Sequence, residues 1–227
     1  MKKWIDLGNP TPKESITPYT PINWKGEPVY SLSKYLSIYD SSDYVKVIFD
    51  RHSSRIFGGI NLQDLANILY LTNIVKASSK SEYGFSLSKR PVPSAGAIHP
   101  IHILIASPLY RDMLIFDPFS FTLNSIKTNI NVDIIRNDIN SVLDIQNGTL
   151  ILLGAEYGKT ASKYNNPDSL IWRDAGILIG ALHMAASFLK LSFCPLGITG
   201  EPWVSRLSNQ FDLFGVGVAV VGSSFSR

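Results

Sequence analysis

The pattern of hydrophobic and polar residues along this chain predicts a succession of helices and strands. Two windows carry apolar residues three and four positions apart, which predicts amphipathic helices at residues 61–75 and 132–143. Short apolar runs predict buried strands, two of them joined as a hairpin. The runs lie at residues 101–106, 113–116, 121–126, 149–153 and 214–222. This order of elements predicts an α+β sandwich with a mixed β-sheet between helices.

The longest apolar pattern covers residues 169–191 and predicts one long helix. Its hydrophobic residues lie on nearly all sides, so we expect this helix to be buried on every side. Gly176 and Gly180 would let another backbone approach it closely. The most apolar part, residues 175–189, contains His183 and is shorter than the roughly 20 residues that a membrane span needs.

The beginning of the chain has a different composition. Five prolines, at positions 10, 12, 18, 21 and 28, predict an extended arm, and the aromatic residues in it favour packing on another surface. A short helix is predicted at residues 31–39. The chain therefore divides into a Pro-rich N-terminal arm with a short helix, residues 1–42, and one domain, residues 43–227.

Composition and charge narrow the classes of function. With 45% hydrophobic residues and a mean hydropathy of +0.09, the chain is apolar enough to suggest an oligomer. The net charge of +3, without a long basic segment, gives little support to binding of nucleic acid or membranes. One cysteine and four histidines cannot form a cysteine-rich metal site or a disulfide framework, so no metal is expected. The single cysteine, Cys194, suggests a reducing compartment, and we expect the cytoplasm.

A cluster of groups that can bind anions follows a helix predicted at residues 43–49. Guanidinium groups bind phosphate through two hydrogen bonds at once, and a serine hydroxyl adds a neutral donor. A solvated charged turn is the alternative explanation. The cluster consists of Arg51, His52, Ser53 and Arg55.

The segment at residues 90–100 has the composition of a rigid loop. It contains three prolines, one glycine and two alanines, so it cannot form the interior of a helix or a central strand. It leads directly into the strand predicted at residues 101–106. Small residues here would let a flat ligand come close to the backbone, although a tight structural turn would have the same composition.

Three separated motifs resemble those of one protein family. Residues 93–100, Pro-Ser-Ala-Gly-Ala-Ile-His-Pro, resemble the Pro-Ser-x-Gly-Ala-x-x-Pro signature of the nitroreductase-like flavoproteins. Residues 51–57 resemble the motif near the N-terminus of that family which binds the FMN phosphate. Residues 194–197, Cys-Pro-Leu-Gly, resemble a turn that follows the long helix in that family, where backbone amides point at the flavin. The chain most closely resembles the SagB-type branch, which contains FMN-dependent azoline dehydrogenases.

The resemblance implies roles for individual residues. Azoline dehydrogenases carry an adjacent Lys-Tyr pair before the long helix, which implies that Lys163 acts as a base and that Tyr164 relays or holds the proton. In nitroreductases a basic residue after the last strand closes on the phosphate, and Arg227 could do so here. The other implied contacts with FMN come from Arg51, His52, Ser53, Arg55, Pro93, Ser94, Ala95, Gly96, Leu196 and Gly197.

The resemblance also implies a function. An enzyme of this branch would oxidise thiazoline or oxazoline rings to thiazole or oxazole in a ribosomally synthesised peptide, as an obligate homodimer with FMN at the subunit interface. A cyclodehydratase complex is the implied partner. Three alternatives stay open: an NAD(P)H-dependent nitroreductase or quinone reductase, a flavin-binding subunit without turnover, and a fold relative without the cofactor.

Overall fold

The computed structural model of the chain describes residues 11–24, 26–35, 44–128, 130–208 and 213–224. The α-helices within them are α1 (Tyr44–Asp50), α2 (Leu62–Asn73), α3 (Val132–Asn140), α4 (Tyr157–Ala161) and α5 (Asp168–Phe188). The strands are β1 (Thr11–Pro12), β2 (Pro28–Ser31), β3 (Ala77–Ser79), β4 (Leu87–Lys89), β5 (Ile101–Ala106), β6 (Leu114–Asp117), β7 (Thr122–Ser125), β8 (Thr149–Glu156), β9 (Tyr164–Asn165), β10 (Leu191–Leu196) and β11 (Leu213–Ser223).

Seven of these strands form one sheet in the order β10-β11-β8-β5-β6-β7-β2, and each neighbouring pair is antiparallel. The α+β class and the sandwich of sheet and helices are confirmed, but the prediction of a mixed sheet is wrong for the described strands. The reason is the position of β11. Helix α5 connects β8 to β10, which run in the same direction, yet β11 lies between them and pairs antiparallel with both.

Side chains that alternate along the strands form a hydrophobic core on each face of the sheet. In β5, Ile103 and Ile105 pack into the core that α2 and α5 cover. Leu104 and Ala106 point to the opposite face and pack with α3. All four side chains are at most 2% exposed, so the sheet lies between two layers of helices.

The described part of the Pro-rich arm packs on its own chain. β1 pairs with β9, and Lys13 N–H donates to Lys163 O at 3.1 Å. Tyr19 N–H donates to Tyr83 O at 2.7 Å, and the Tyr19 ring lies so close to Gly158 that a Cβ there would have no room. The arm therefore covers the segment around Lys163.

The end of the arm belongs to the central sheet. β2 pairs with β7 at the edge of the sheet, and Leu32, directly after β2, is fully buried in the core. A 3₁₀ turn at Leu32–Tyr35 stands where a short helix was predicted, and residues 36–39 lie outside the described residues.

Two segments between the larger elements contain regular structure. Residues 76–89 include the β3–β4 hairpin, and residues 158–167 include most of α4 and the short strand β9. β10 also continues through Pro195, where the resemblance predicts a turn. Proline is tolerated there because β10 is the edge strand of the described sheet, so its missing N–H can face away from the ladder.

Helix α5 is buried on one side only, so the prediction that it is buried on every side is wrong for the single chain. Trp172 and Ile177 are 47% and 44% exposed, and Gly176 and Gly180 lie on the same exposed side. The sheet and α2 cover only the opposite side. No helix among the described residues has the length and apolar character required to cross a membrane.

Candidate functional site

Residues 93–100, here called the Pro-Ser loop, have a strained backbone. The φ angles of Gly96, Ala97 and His99 are +63°, +58° and +49°, all in the left-handed region. Glycine adopts this region freely, whereas alanine and histidine each lose roughly 1–2 kcal/mol there. Strain of this kind persists only where surrounding contacts enforce it, and it is concentrated at binding and catalytic sites.

Asp174 of α5 holds the start of the Pro-Ser loop. Ser94 Oγ donates to Asp174 Oδ2 at 2.5 Å, and Ala95 N–H donates to Oδ1 at 3.3 Å. Ser94 Oγ also accepts a hydrogen bond from His99 N–H at 2.9 Å, which closes the loop on itself. Burial raises the pKa of Asp174, and the hydrogen bond from Ser94 opposes that rise. The carboxylate therefore ties the loop to the long helix.

Replacing Asp174 by Asn should loosen this loop. The amide oxygen of Asn can accept one of the two hydrogen bonds, but its NH₂ group cannot accept the other, so either Ser94 Oγ–H or Ala95 N–H loses its acceptor. We expect a loss of about 1–3 kcal/mol in the free energy of unfolding, measured by urea denaturation. Asp138→Asn, the same change at an exposed position of α3, is the matched control. Equal stability of the two variants would contradict the assigned role of Asp174.

Lys163 and Tyr164 lie directly against the Pro-Ser loop. A Cβ on Gly96 would lie 2.9 Å from Lys163 Nζ and 3.0 Å from Tyr164 Oη, so both polar ends reach this glycine. Lys163 Nζ also lies 5.6 Å from the ring centroid of Tyr83 and 5.5 Å from that of Tyr164, within the range of cation–π attraction. We call the Pro-Ser loop, Lys163 and Tyr164 the loop group.

The segment that is predicted to bind phosphate is extended and fixed to β10 by Ser54. Its N–H donates to Phe193 O at 3.0 Å. Arg51, Ser53 and Arg55 are exposed, and neither guanidinium group forms an ion pair with a carboxylate in the described ranges. These three side chains are therefore available to an external anion.

His52 has a different environment from the two arginines of this segment. Together with Ser54 and Ile56 it lines a cavity of about 730 Å³ beside α5, and neither of the two arginines contributes to that wall. His52 Nδ1–H donates to Asp50 O at 2.9 Å, while His183 Nε2–H donates to His52 O at 3.1 Å. The structure thus places His52 in the wall of this cavity and leaves Arg51, Ser53 and Arg55 at exposed positions of the same segment.

The predicted amide-rich turn begins at the end of β10, a strand that lies near Arg55. Burial raises the pKa of the Cys194 thiol and the charge of Arg55 opposes that rise, so Arg55 lies within electrostatic range of β10. Leu196 is the half-buried last residue of this strand. Gly197 is exposed, and a Cβ there would meet nothing within 4 Å. We call Arg51, Ser53, Arg55, Leu196 and Gly197 the arginine group.

Helix α5 separates the two groups within one chain. Asp174 contacts the loop group. His183, nine positions later, contacts the backbone of His52, which lies in sequence between Arg51 and Ser53 of the arginine group. Nine residues of α-helix span roughly 14 Å. Arg227, the remaining predicted contact, lies outside the described residues.

A buried cluster of charges supports the arm next to the loop group. Glu156, at the end of β8, accepts hydrogen bonds from Ile22 N–H at 2.6 Å and from His102 Nε2–H at 2.7 Å, and it lies 3.2 Å from Lys159 Nζ. Burial alone would raise the pKa of Glu156, but the hydrogen bond from His102 and the charge of Lys159 lower it to about 2. Glu156 and Asp174 were not among the site residues predicted from the sequence. A lone carboxylate within an apolar stretch of sequence could have indicated them, because a buried charge requires partners.

The known proteins to which this chain is similar were found by their structures. No protein-family model matches the chain, and no curated protein matches its sequence. A protein classed as a nitroreductase from Anabaena variabilis has a TM-score of 0.66 at 17% identity, over 92% of this chain and 42% of that one. The chain has a nitroreductase-like fold. It spans less than half of the Anabaena variabilis protein.

Two further structures share this fold. A chain of the E. coli microcin synthetase McbBCD complex with truncated pro-MccB17 bound has a TM-score of 0.57 at 14% identity, over 88% of this chain and 77% of that one. A protein classed as a nitroreductase from Desulfovibrio desulfuricans, in complex with FMN, has a TM-score of 0.50 at 16% identity, over 83% and 92% of the two chains. Structures that share this fold therefore include both an FMN complex and a chain of a microcin synthetase complex.

Proposed function

We propose that this protein is an FMN-dependent oxidoreductase that oxidises thiazoline or oxazoline rings to thiazole or oxazole in a ribosomally synthesised peptide. The observation that carries the proposal is the contact of Lys163 and Tyr164 with Gly96 of the strained Pro-Ser loop, within a nitroreductase-like fold. This contact puts a base and a hydroxyl beside a half-buried turn of small residues. The likeness to a chain of the microcin synthetase complex supports a peptide substrate.

FMN is the cofactor that the side chains fit. Arg51, Ser53 and Arg55 offer exposed donors to a phosphate, and the described carboxylates leave both guanidinium groups free. The open backbone at Gly197 offers an amide to the edge of a flat ring. The FMN in the Desulfovibrio desulfuricans structure supports the same choice.

The chain's own residues would handle the proton. FMN, when bound, supplies the acceptor for the hydride that leaves the azoline ring. Lys163 Nζ takes a proton from a ring carbon, and the rings of Tyr83 and Tyr164 stabilise the ammonium group that results. Tyr164 Oη, which reaches Gly96 beside Lys163 Nζ, relays or holds the proton. Aromatisation of the heterocycle drives the reaction.

The proposal includes a homodimer with FMN between two subunits, so that the arginine group of one subunit faces the loop group of the other. Exposed apolar side chains support this arrangement. Tyr44 and Phe49 of α1 are 70% and 82% exposed, and α5 exposes Trp172 and Ile177. Clustered apolar groups of this size mark interfaces between proteins. A cyclodehydratase complex that forms the azoline is the proposed partner.

A second candidate function is an NAD(P)H-dependent nitroreductase or quinone reductase. The names of the Anabaena variabilis and Desulfovibrio desulfuricans proteins favour it. Rapid bleaching of the bound flavin by NADH or NADPH without oxygen would support this candidate. A flavin that no donor or azoline peptide reduces would instead support a subunit without turnover.

The deciding experiment combines the purified protein, FMN and a synthetic peptide that carries one thiazoline. We expect the flavin to bleach without oxygen and the peptide to lose two hydrogens, detected by mass spectrometry. A peptide with a thiazole at the same place should leave the flavin oxidised. An unchanged thiazoline peptide together with a flavin that NADH reduces would reject the proposed substrate and favour the second candidate.

Replacing both Arg51 and Arg55 by Gln should weaken FMN binding. Each charge-assisted hydrogen bond contributes roughly 1.5–3 kcal/mol, so loss of one such bond lowers the affinity at least about tenfold. Fluorescence quenching of FMN measures the dissociation constant. Arg111→Gln, at an exposed position outside both groups, is the control. If riboflavin loses affinity as much as FMN does, the arginines do not act on the phosphate.

A further inference from the structure

A cavity with both polar and apolar walls lies behind the Pro-Ser loop, between the arm and the sheet. It measures about 270 Å³, and its wall includes Trp24 of the arm, His102 of β5 and Asn124 of β7. A single water needs only about 10–15 Å³, and small-molecule sites begin near roughly 300 Å³. The cavity therefore has room for a compact organic ligand.

Arg90 brings an incompletely bonded guanidinium group to this cavity. Its Nε–H donates to Ser88 Oγ at 3.0 Å, and its Cζ lies 5.9 Å from the ring centroid of Phe119. Its two terminal nitrogens form no hydrogen bond or ion pair with any residue that the structure describes. Burial lowers the pKa of Arg90 to about 10, and the charge of Asp117 opposes that shift, so the group stays charged at neutral pH.

The carboxylates near Arg90 are already bonded elsewhere. Asp117 accepts hydrogen bonds at 2.9 Å and 2.6 Å from the turn that follows it. Glu156 is fully buried and held by the cluster described above. Burial lowers the pKa of His99 to about 3, so this side chain is neutral. A planar cation with free donors is therefore the group best suited to hold a ligand, and its geometry matches a carboxylate.

The rest of the wall suits a flat apolar body. Ile101, Ile103 and Phe116 contribute aliphatic and aromatic surface from the sheet. The ring of Trp24 stands edge-on to that of His102, with the centroids 5.2 Å apart. Trp24 Nε1–H is buried without an acceptor among the described residues, so an acceptor brought beside it would satisfy this donor.

We infer that this cavity binds a compact organic carboxylate, held by the terminal nitrogens of Arg90, with its flat body between Phe119, Trp24 and the sheet. Arg90 and His99 also line a smaller space of about 10 Å³ that reaches Ser94 and Asp174. A ligand in the larger cavity would therefore contact the Pro-Ser loop at His99. Binding here needs no flavin, so it can be measured whether or not the proposed reaction is correct.

Isothermal titration of the purified protein with benzoate and with benzamide tests this site. We expect benzoate to bind at least about tenfold more tightly, because only the carboxylate forms charge-assisted hydrogen bonds with Arg90. Inorganic phosphate is the third test ligand, and it should bind more weakly because it lacks the flat body. Benzoate that gives no heat, or that binds no better than benzamide or phosphate, would overturn the inference.

Variants identify the residue responsible. In Arg90→Gln the preference for benzoate over benzamide should disappear, while Arg111→Gln, at an exposed position outside the cavity, should keep it. Circular dichroism and the melting temperature establish that each variant is folded. If Arg90→Gln does not fold, Trp24→Phe supplies the second test, with weaker benzoate binding expected. A folded Arg90→Gln that retains the full preference would contradict the assignment.

Discussion

Replacing Lys163 by Ala is expected to lower the rate of azoline oxidation by about 100- to 10,000-fold, the usual contribution of a positioned base. FMN should still bind, because Lys163 is not one of the arginine group that is proposed to hold it. Single-turnover reduction of the bound flavin by a thiazoline peptide, followed without oxygen, measures the rate of the step itself. The expected product is a protein that stays yellow and no longer oxidises the peptide.

Two further variants sharpen this test. Lys80→Ala removes a lysine from an exposed position and should keep the parent rate. Tyr164→Phe keeps the ring that faces Lys163 Nζ and removes only the hydroxyl, so it should slow proton relay while the contact at 5.5 Å remains. A Lys163→Ala protein that reduces its flavin at the parent rate would eliminate Lys163 as the base.

Replacing Glu156 by Gln should have the largest effect on stability. The carboxylate is completely buried and serves three donors, so its neutral isostere leaves Lys159 and His102 without an anionic partner. Breaking a buried pair of this kind costs about 3–5 kcal/mol in the free energy of unfolding. Chemical denaturation at neutral pH measures the loss. Glu27→Gln, at an exposed position, should stay within about 0.5 kcal/mol of the parent.

The same variant has a characteristic pH dependence. The pKa of Glu156 falls from its ordinary value of 4.5 to about 2 on folding. Because the folded protein holds the ionised form, this contribution is fully present above pH 4.5 and is lost as the pH falls through the folded value. The difference in stability between the parent and Glu156→Gln should therefore shrink between these two values. A difference that stays constant over this range would show that Glu156 is not ionised in the folded protein.

Local patterns were sufficient for the elements whose ends carry strong signals. The strand predicted at residues 101–106 is β5 with the same bounds, because Pro100 and the polar turn after Ala106 limit it on both sides. Helix α2 begins after Asn61, whose side chain accepts a hydrogen bond from Asp64 N–H at 2.8 Å as a cap. The pairing of the strands could not be predicted from local sequence patterns, because the insertion of β11 between β8 and β10 depends on the path of the whole chain.

The candidate site, like the fold, could be predicted from the sequence only in part. The resemblance supplied Lys163, Tyr164 and the Pro-Ser loop as separate motifs, but their contact joins residues more than 60 positions apart, and no spacing rule predicts it. Asp174 and Glu156 act through burial, which depends on the neighbours that folding brings to them. The exposed side of α5 was missed because an apolar pattern does not distinguish a helix covered by its own chain from one that leaves a face uncovered.

The contact of the arm with the rest of the chain has a practical consequence for engineering. Residues 11–24 form no part of the central sheet, yet they bond to the backbone of Lys163 and Tyr83 and to the side chain of Glu156. A protein shortened to begin near residue 26 would keep the strands of the central sheet and lose the contacts of the arm with Lys163, the proposed base. Truncation for crystallisation or display should therefore spare residues 11–24.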